Sequence, residues 1–216
     1  MLVKPDNYIK ILLAAFFALL AWSAFHPHDY FTWLLEVFPA LIALAVLAAA
    51  YNRFQFTRLT YTLICLHAAV LFVGGHYTYA EVPLFNYLRD HFHLARNYYD
   101  RVGHFAQGFV PAIVVREMLL RRSPLRQGKW LFFLVCCVCV TISAFYELLE
   151  WRVAVATGSA ADAFLGTQGD VWDTQWDMTF CLFGALTALL TASRFHDSQL
   201  RYIEELDEQC STNISR

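Results

Sequence analysis

Apolar residues run in six long blocks separated by short polar stretches. The blocks cover 8–25, 31–50, 59–80, 102–120, 130–150 and 174–195. Several approach the roughly 20 residues needed to cross a hydrocarbon core of about 30 Å. A segment in lipid must pair its own backbone groups, and a helix does this without help from neighbours. The pattern therefore predicts an all-α polytopic membrane protein, a bundle of six transmembrane helices. It forms one domain over 1–216, with a polar tail at 196–216. The first block has features of a cleaved leader, with Lys4 and Lys10 nearby and small residues at Ala21 and Ser23. Its apolar core continues to Phe25 and a second block follows at once, which favours an uncleaved helix.

Composition agrees with the pattern. The 216 residues are 58% hydrophobic and 16% charged, against about 25% charged in a typical soluble domain. The connections 51–58 and 121–129 are short and basic. Two others, 81–101 and 151–173, are long. The first is rich in aromatics and predicts an interfacial amphipathic stretch around 84–94. The tail is expected to extend the last helix before fraying. Cys136, Cys137 and Cys139 share one block, too close to bridge within a helix, so the cysteines read as packing residues rather than a disulfide or zinc framework.

Charge orients the bundle. With the N-terminus inside, 12 of the 16 Lys and Arg fall on inner segments, among them Lys4, Arg121, Arg122 and Arg216. That bias places both termini in the cytoplasm. The acids run the other way. Eleven of 18 fall on the outer side: Asp29, Glu36, Glu81, Asp90, Asp100, Glu147, Glu150, Asp162, Asp170, Asp173 and Asp177. Six of the eight histidines go with them: His26, His28, His76, His91, His93 and His104.

Four constellations at that outer face carry candidate chemistry. Asp100 and His104 are four apart and share a helical face, an arrangement that fixes an imidazole tautomer for a general base or a metal ligand; a simple helix cap is the competing reading. Glu147 and Glu150 close the fifth block. Two carboxylates this near share protons or a cation, unless the helix ends before them and leaves both solvated. Asp170, Asp173 and Asp177 lead into the sixth block, where Gly166 and Gly169 would let the loop fold over a site. Asp173 also reads as an ordinary helix start, but Asp177 falls a turn inside the span. His76 leaves the third block, and Glu36 lies near enough to join the group. Midspan His67 and the Arg116-Glu117 pair read as packing or interface residues.

Several of these segments resemble the YjdF-like family of bacterial inner-membrane proteins, which has no assigned activity. The motifs are Gly74-Gly75-His76-Tyr77-Thr78-Tyr79-Ala80-Glu81-Val82-Pro83, Asp100-Arg101 before Gly103-His104, Glu147 before Glu150-Trp151, and the run from Gly166 to Met178. The resemblance covers nearly the whole chain. A fainter similarity links it to VanZ-like membrane proteins, associated with glycopeptide-antibiotic tolerance. Asp100, His104, Phe105, Glu147, Asp177 and Gly184 match that pattern. Glu150 stands where it has Gln, and Cys181 where it has Asn, so the polar chemistry differs. Neither resemblance implies a mechanism.

Three function classes stay open. The first is a periplasm-facing enzyme or binding site for a lipid headgroup or lipid-linked envelope intermediate. Its candidate catalytic residues are Asp100, His104, Glu147, Glu150, Asp173 and Asp177. A divalent metal would be held among His76, His104, Glu150 and Asp177. A phosphoryl substrate would need that metal, or Arg101 and Arg152, to offset the carboxylates. The second is a proton-coupled transporter, against which stand the scarcity of midplane charge and the lack of an internal repeat. The third is a non-catalytic membrane partner or assembly factor, with the polar cluster as glue between helices. Membrane lipids are the expected partners, and no nucleic acid is expected.

Overall fold

A computed structural model describes residues 6–158 and 162–214. Lys4, Arg216 and residues 159–161 lie outside the described residues, as do the side chains of Asp162, Glu204, Asp207 and Glu208.

The described chain is helical, with no strand among the described residues. Helices α1 (Asn7–Ser23), α2 (Tyr30–Ala50), α3 (Arg58–Tyr77), α5 (Tyr99–Arg122), α6 (Lys129–Thr157) and α8 (Asp173–Thr191) fall on the six apolar blocks. Between them lie α4 (Pro83–Phe92) and the one-turn α7 (Asp162–Leu165), and α9 (Ser193–Ile214) follows α8. Local chemistry starts the first three helices. Asp6 accepts from Ile9 N at 2.9 Å, Asp29 from Thr32 N at 2.7 Å and Thr57 from Thr60 N at 3.3 Å, each filling an orphan amide of a first turn. Pro83 opens α4, where its missing N–H costs nothing.

By length and apolar composition α2, α3 and α6 qualify as membrane spans; α8 joined to the start of α9 makes a fourth if that bent pair is one span. Helix α1 is apolar but shorter. Helix α5 falls short because His104, Gln107, Arg116 and Glu117 interrupt its apolar run. The outer surfaces suit lipid: Val46 is 60% exposed, Phe145 67% and Leu190 75%.

At the centre α5 packs against α8 more extensively than any other helix pair. Glycines allow the approach. A Cβ on Gly108 would collide with the Cys181 carbonyl, and one on Gly184 with the Phe105 carbonyl. Small residues at a helix crossing let backbones meet where lipid offers no hydrophobic drive. Ala112, Ile113, Val135, Cys139, Cys181, Ala185 and Ala188 pack around this contact, so two of the cysteines are core residues.

Three boundaries depart from the sequence pattern. Helix α6 runs seven residues past Glu150 to Thr157, so Glu147 and Glu150 sit inside a helix rather than at its end. Helix α8 stops at Thr191, and α9 leaves it at 61° instead of prolonging it. The beginning of α9 is folded in, with His196 and Leu200 buried. The amphipathic stretch expected at 84–94 is α4, which buries no residue and exposes Leu84, Tyr87 and Phe92.

Candidate functional site

The site is built at one end of the α5–α8 pair, here termed the acidic end. The other, where α9 begins, is the tail end. Asp100, Arg101 and His104 occupy the first turns of α5. Asp173 and Asp177 occupy the first turns of α8, side by side with them. Helix α6 brings Glu147 and Glu150, and α2 brings Glu36. All of these side chains are buried.

Two arginines organise the aspartates. Arg101 is 4% exposed and bonds Asp173 at 2.6 Å, Asp100 and Asp170 at 3.3 Å, and Asp177 directly. Arg96 reaches Asp173 at 2.5 Å, Asp100 at 3.3 Å and the Gly166 carbonyl at 2.9 Å. Asp173 is thus not the cap of α8 but a shared acceptor of both guanidiniums. The loop before α8 is held down by a reciprocal pair: Asn97 N donates to Gln168 Oε1, and Gln168 Nε2 donates to the Asn97 carbonyl, both at 2.9 Å. The segment around Gly166 therefore closes over the site, as its glycines suggest.

His104 stands at the junction. Its Nε2 lies 3.4 Å from Asp100 Oδ1 and 3.5 Å from Asp177 Oδ1. Its Nδ1 lies 3.1 Å from Gln107 Oε1. The ring is thus held by an amide on one nitrogen and by two carboxylates on the other. Two groups of three could hold a metal, each with donor atoms within 4.8 Å of one another: Asp100–His104–Asp177 and His104–Glu147–Glu150.

Beside His104 lies a cavity of about 150 Å³. Its polar wall is Glu36, His67, Tyr79, Asp100, His104, Gln107, Tyr146 and Glu150; its apolar wall includes Leu71, Pro111, Ile142 and Phe164. Tyr146 Oη donates to Glu36 at 3.4 Å.

All six expected catalytic residues meet at this end, and Glu36 joins them as expected. The expected metal ligand His76 does not. Its Nδ1 is 3.0 Å from the Ser23 carbonyl and its ring stacks on Trp22 at 4.6 Å, because the end of α3 packs on α1 there. His67, read as a packing residue, instead lines the cavity. Arg101, considered for a phosphoryl group, is already occupied by aspartates. Arg152 is exposed beside the Trp151 ring. Arg96 and Tyr146 join the site without a signal in the sequence, and Tyr79, which suits an interfacial aromatic belt, lines the cavity instead. An aromatic belt and a loop arginine look alike in sequence whether they face lipid, water or a cavity.

A second buried cluster sits at the tail end. Glu117 accepts from Thr57 N, Thr57 Oγ1, Thr60 Oγ1, Arg121 Nη1 and His196 Nε2, at 2.6 to 3.1 Å. Arg116 donates to His196 Nδ1 at 3.1 Å and to Asp197 at 2.6 Å. His196 thus accepts at one nitrogen and donates at the other, which a neutral imidazole does. The cluster ties the starts of α3 and α9 to α5.

Comparison with known proteins agrees with this architecture. Residues 8–198 match the family described as "Predicted membrane protein (DUF2238)". The chain belongs to that family. It is 52% identical over 183 residues to the "Inner membrane protein YjdF" of Escherichia coli (strain K12), covering 85% of this chain and 88% of that one. No solved structure matches.

Proposed function

We propose that the chain binds, and acts on, a lipid headgroup or the polar part of a lipid-linked envelope intermediate at the periplasmic face of a bacterial inner membrane. Both termini then lie in the cytoplasm, on the Lys and Arg bias of the loops, and the described helices form one membrane domain. The observation that carries the reading is the cavity beside His104. It combines buried carboxylates, two imidazoles and two tyrosines with an apolar wall, at one end of helices whose outer surfaces are apolar. Its volume suits a headgroup fragment rather than a whole lipid. His104 serves as the base, with Asp100 and Asp177 as its partners. The carboxylates favour a hydroxyl or amine over a bare phosphate, because the two nearby arginines are already paired.

The test replaces the native gene with His104→Ala and with Glu150→Gln in the host bacterium and follows envelope lipids by mass spectrometry. Folded variants that accumulate or lack one headgroup or lipid-linked species support the reading. Unchanged envelope lipids in both variants and in a deletion strain overturn it.

The arginine network favours a second reading. Arg96, in the loop before α5, and Arg101, in its first turn, join that end of α5 to α8 much as an internal staple would, which suits a non-catalytic partner or assembly factor. In that case the substitutions destabilise the protein instead of leaving it folded and inactive.

A further inference from the structure

We infer that His104, Glu147 and Glu150 bind one divalent transition-metal ion of the zinc or manganese class. The inference deepens the headgroup reading, since the ion would let an acid-lined cavity accept an oxygen-rich group, but the binding itself requires no lipid.

Charge is the starting point. Asp100, Asp170, Asp173 and Asp177 each pair with Arg96 or Arg101. Among the described residues, neither Glu147 nor Glu150 forms an ion pair with an arginine or lysine. Buried carboxylates without a counter-charge must take up protons or a cation.

An independent observation distinguishes this pair from a general excess of acid. Glu147 is 8% exposed, and its Oε1 is sealed from solvent with no hydrogen-bond partner among the described residues. A buried polar atom left unpaired in this way costs free energy unless something fills its place. Glu147 offers a carboxylate oxygen within 4.8 Å of a His104 ring nitrogen and a Glu150 oxygen. Around a tetrahedral ion with bonds of about 2.0–2.2 Å, donors stand about 3.4 Å apart. Modest rotation of the two glutamates closes that gap.

His104 is prepared for the role. Gln107 holds Nδ1, as the other nitrogen of a metal-bound histidine is characteristically held, and Nε2 is the ligating atom. Because Nε2 also lies between the Asp100 and Asp177 carboxylates, binding requires it to give up any proton it shares with them. The alternative triad is less suitable. Arg101 holds both Asp100 and Asp177, so an ion between those aspartates would face a guanidinium. One nitrogen and carboxylate oxygens suit zinc or manganese; magnesium and calcium prefer all-oxygen sites. Three protein ligands leave a position for water or for a substrate oxygen, and His104 and Glu150 line the cavity from which it would come.

The experiment uses the full chain in detergent, stripped with a chelator and titrated separately with zinc chloride and manganese chloride. Isothermal calorimetry and elemental analysis after desalting read the binding. The expected result is one ion per chain for at least one metal, weakened more than about tenfold in both Glu147→Gln and Glu150→Gln. Asp170→Asn, at an acid that pairs with the two arginines and not with His104, should retain binding within about threefold. Circular dichroism checks folding of each variant; if one glutamine variant does not fold, the other decides. Absence of saturable binding by either metal in folded wild type overturns the inference, as does undiminished binding in a folded glutamine variant. Stoichiometric metal with unchanged envelope lipids would remove the headgroup reading and leave this site standing; altered lipids without metal would do the reverse.

Discussion

At the tail end of the α5–α8 pair, Glu117 is surrounded by donors from Thr57, Thr60, Arg121 and His196, and Arg116 is satisfied by His196 and Asp197. At the acidic end, carboxylates outnumber their cations. Among the described residues, Glu36, Glu147 and Glu150 make no ion pair with Arg or Lys and Glu147 Oε1 has no hydrogen-bond partner, and Glu36 and Glu150 line a cavity. Both ends bury charge on α5. A network in which every group is answered fixes helices in place. One with surplus acid around a cavity spends stability to keep a site open, and such local conflicts with foldability mark functional positions.

This contrast is most severely tested at Arg101. Arg101→Ala leaves Asp100, Asp173 and Asp177 buried with less counter-charge, and breaking a buried pair from one side costs about 3–5 kcal/mol. Thermal melting in detergent should show a large fall in Tm, or no folded protein at all. A variant that melts like wild type would mean that the acidic end is wet and loosely held.

Glu117→Gln probes the other end. The amide keeps the shape but loses charge and acceptor capacity for several donors, so a loss of about 1–3 kcal/mol is expected from the same melt. A smaller effect comes from the cap of α2. Asp29→Ala should cost about 1 kcal/mol. Hydrogen bonds from Thr32 hold the Asp29 carboxyl below its usual pKa. Its contribution is therefore present above the unfolded-state value and is lost as pH falls through the lower folded value. Wild type should lose this increment on acidification and Asp29→Ala should not, which paired melts across acidic pH would read.

Much of this was legible in the sequence, though unevenly. The six apolar blocks became helices, and the i, i+3 and i, i+4 spacings of Asp100 with His104, Glu147 with Glu150, and Asp173 with Asp177 do put each pair on one helix in the same buried cluster. Spacing within a helix is local, so the pattern reports it. Partners across helices are not local. The meeting of Glu117 with His196 depends on the 61° turn between α8 and α9, which no apolar count reveals. Whether Arg96 turns inward depends on the loop closed by Asn97 and Gln168. His76 carried the right side chain at the right depth, yet Trp22 and the Ser23 carbonyl claim it. The continuation of α6 past Glu150 decided in favour of burial where the sequence left solvation open.

The most direct test of the contrast melts Glu147→Gln and Glu117→Gln beside wild type, all stripped of metal and at one pH near neutrality. Removing a surplus charge at the acidic end should leave Tm unchanged or raise it, while removing the matched charge at the tail end should lower it. If Glu147→Gln destabilises as much as Glu117→Gln, the acidic end is not over-charged, and the two clusters are the same kind of structural glue.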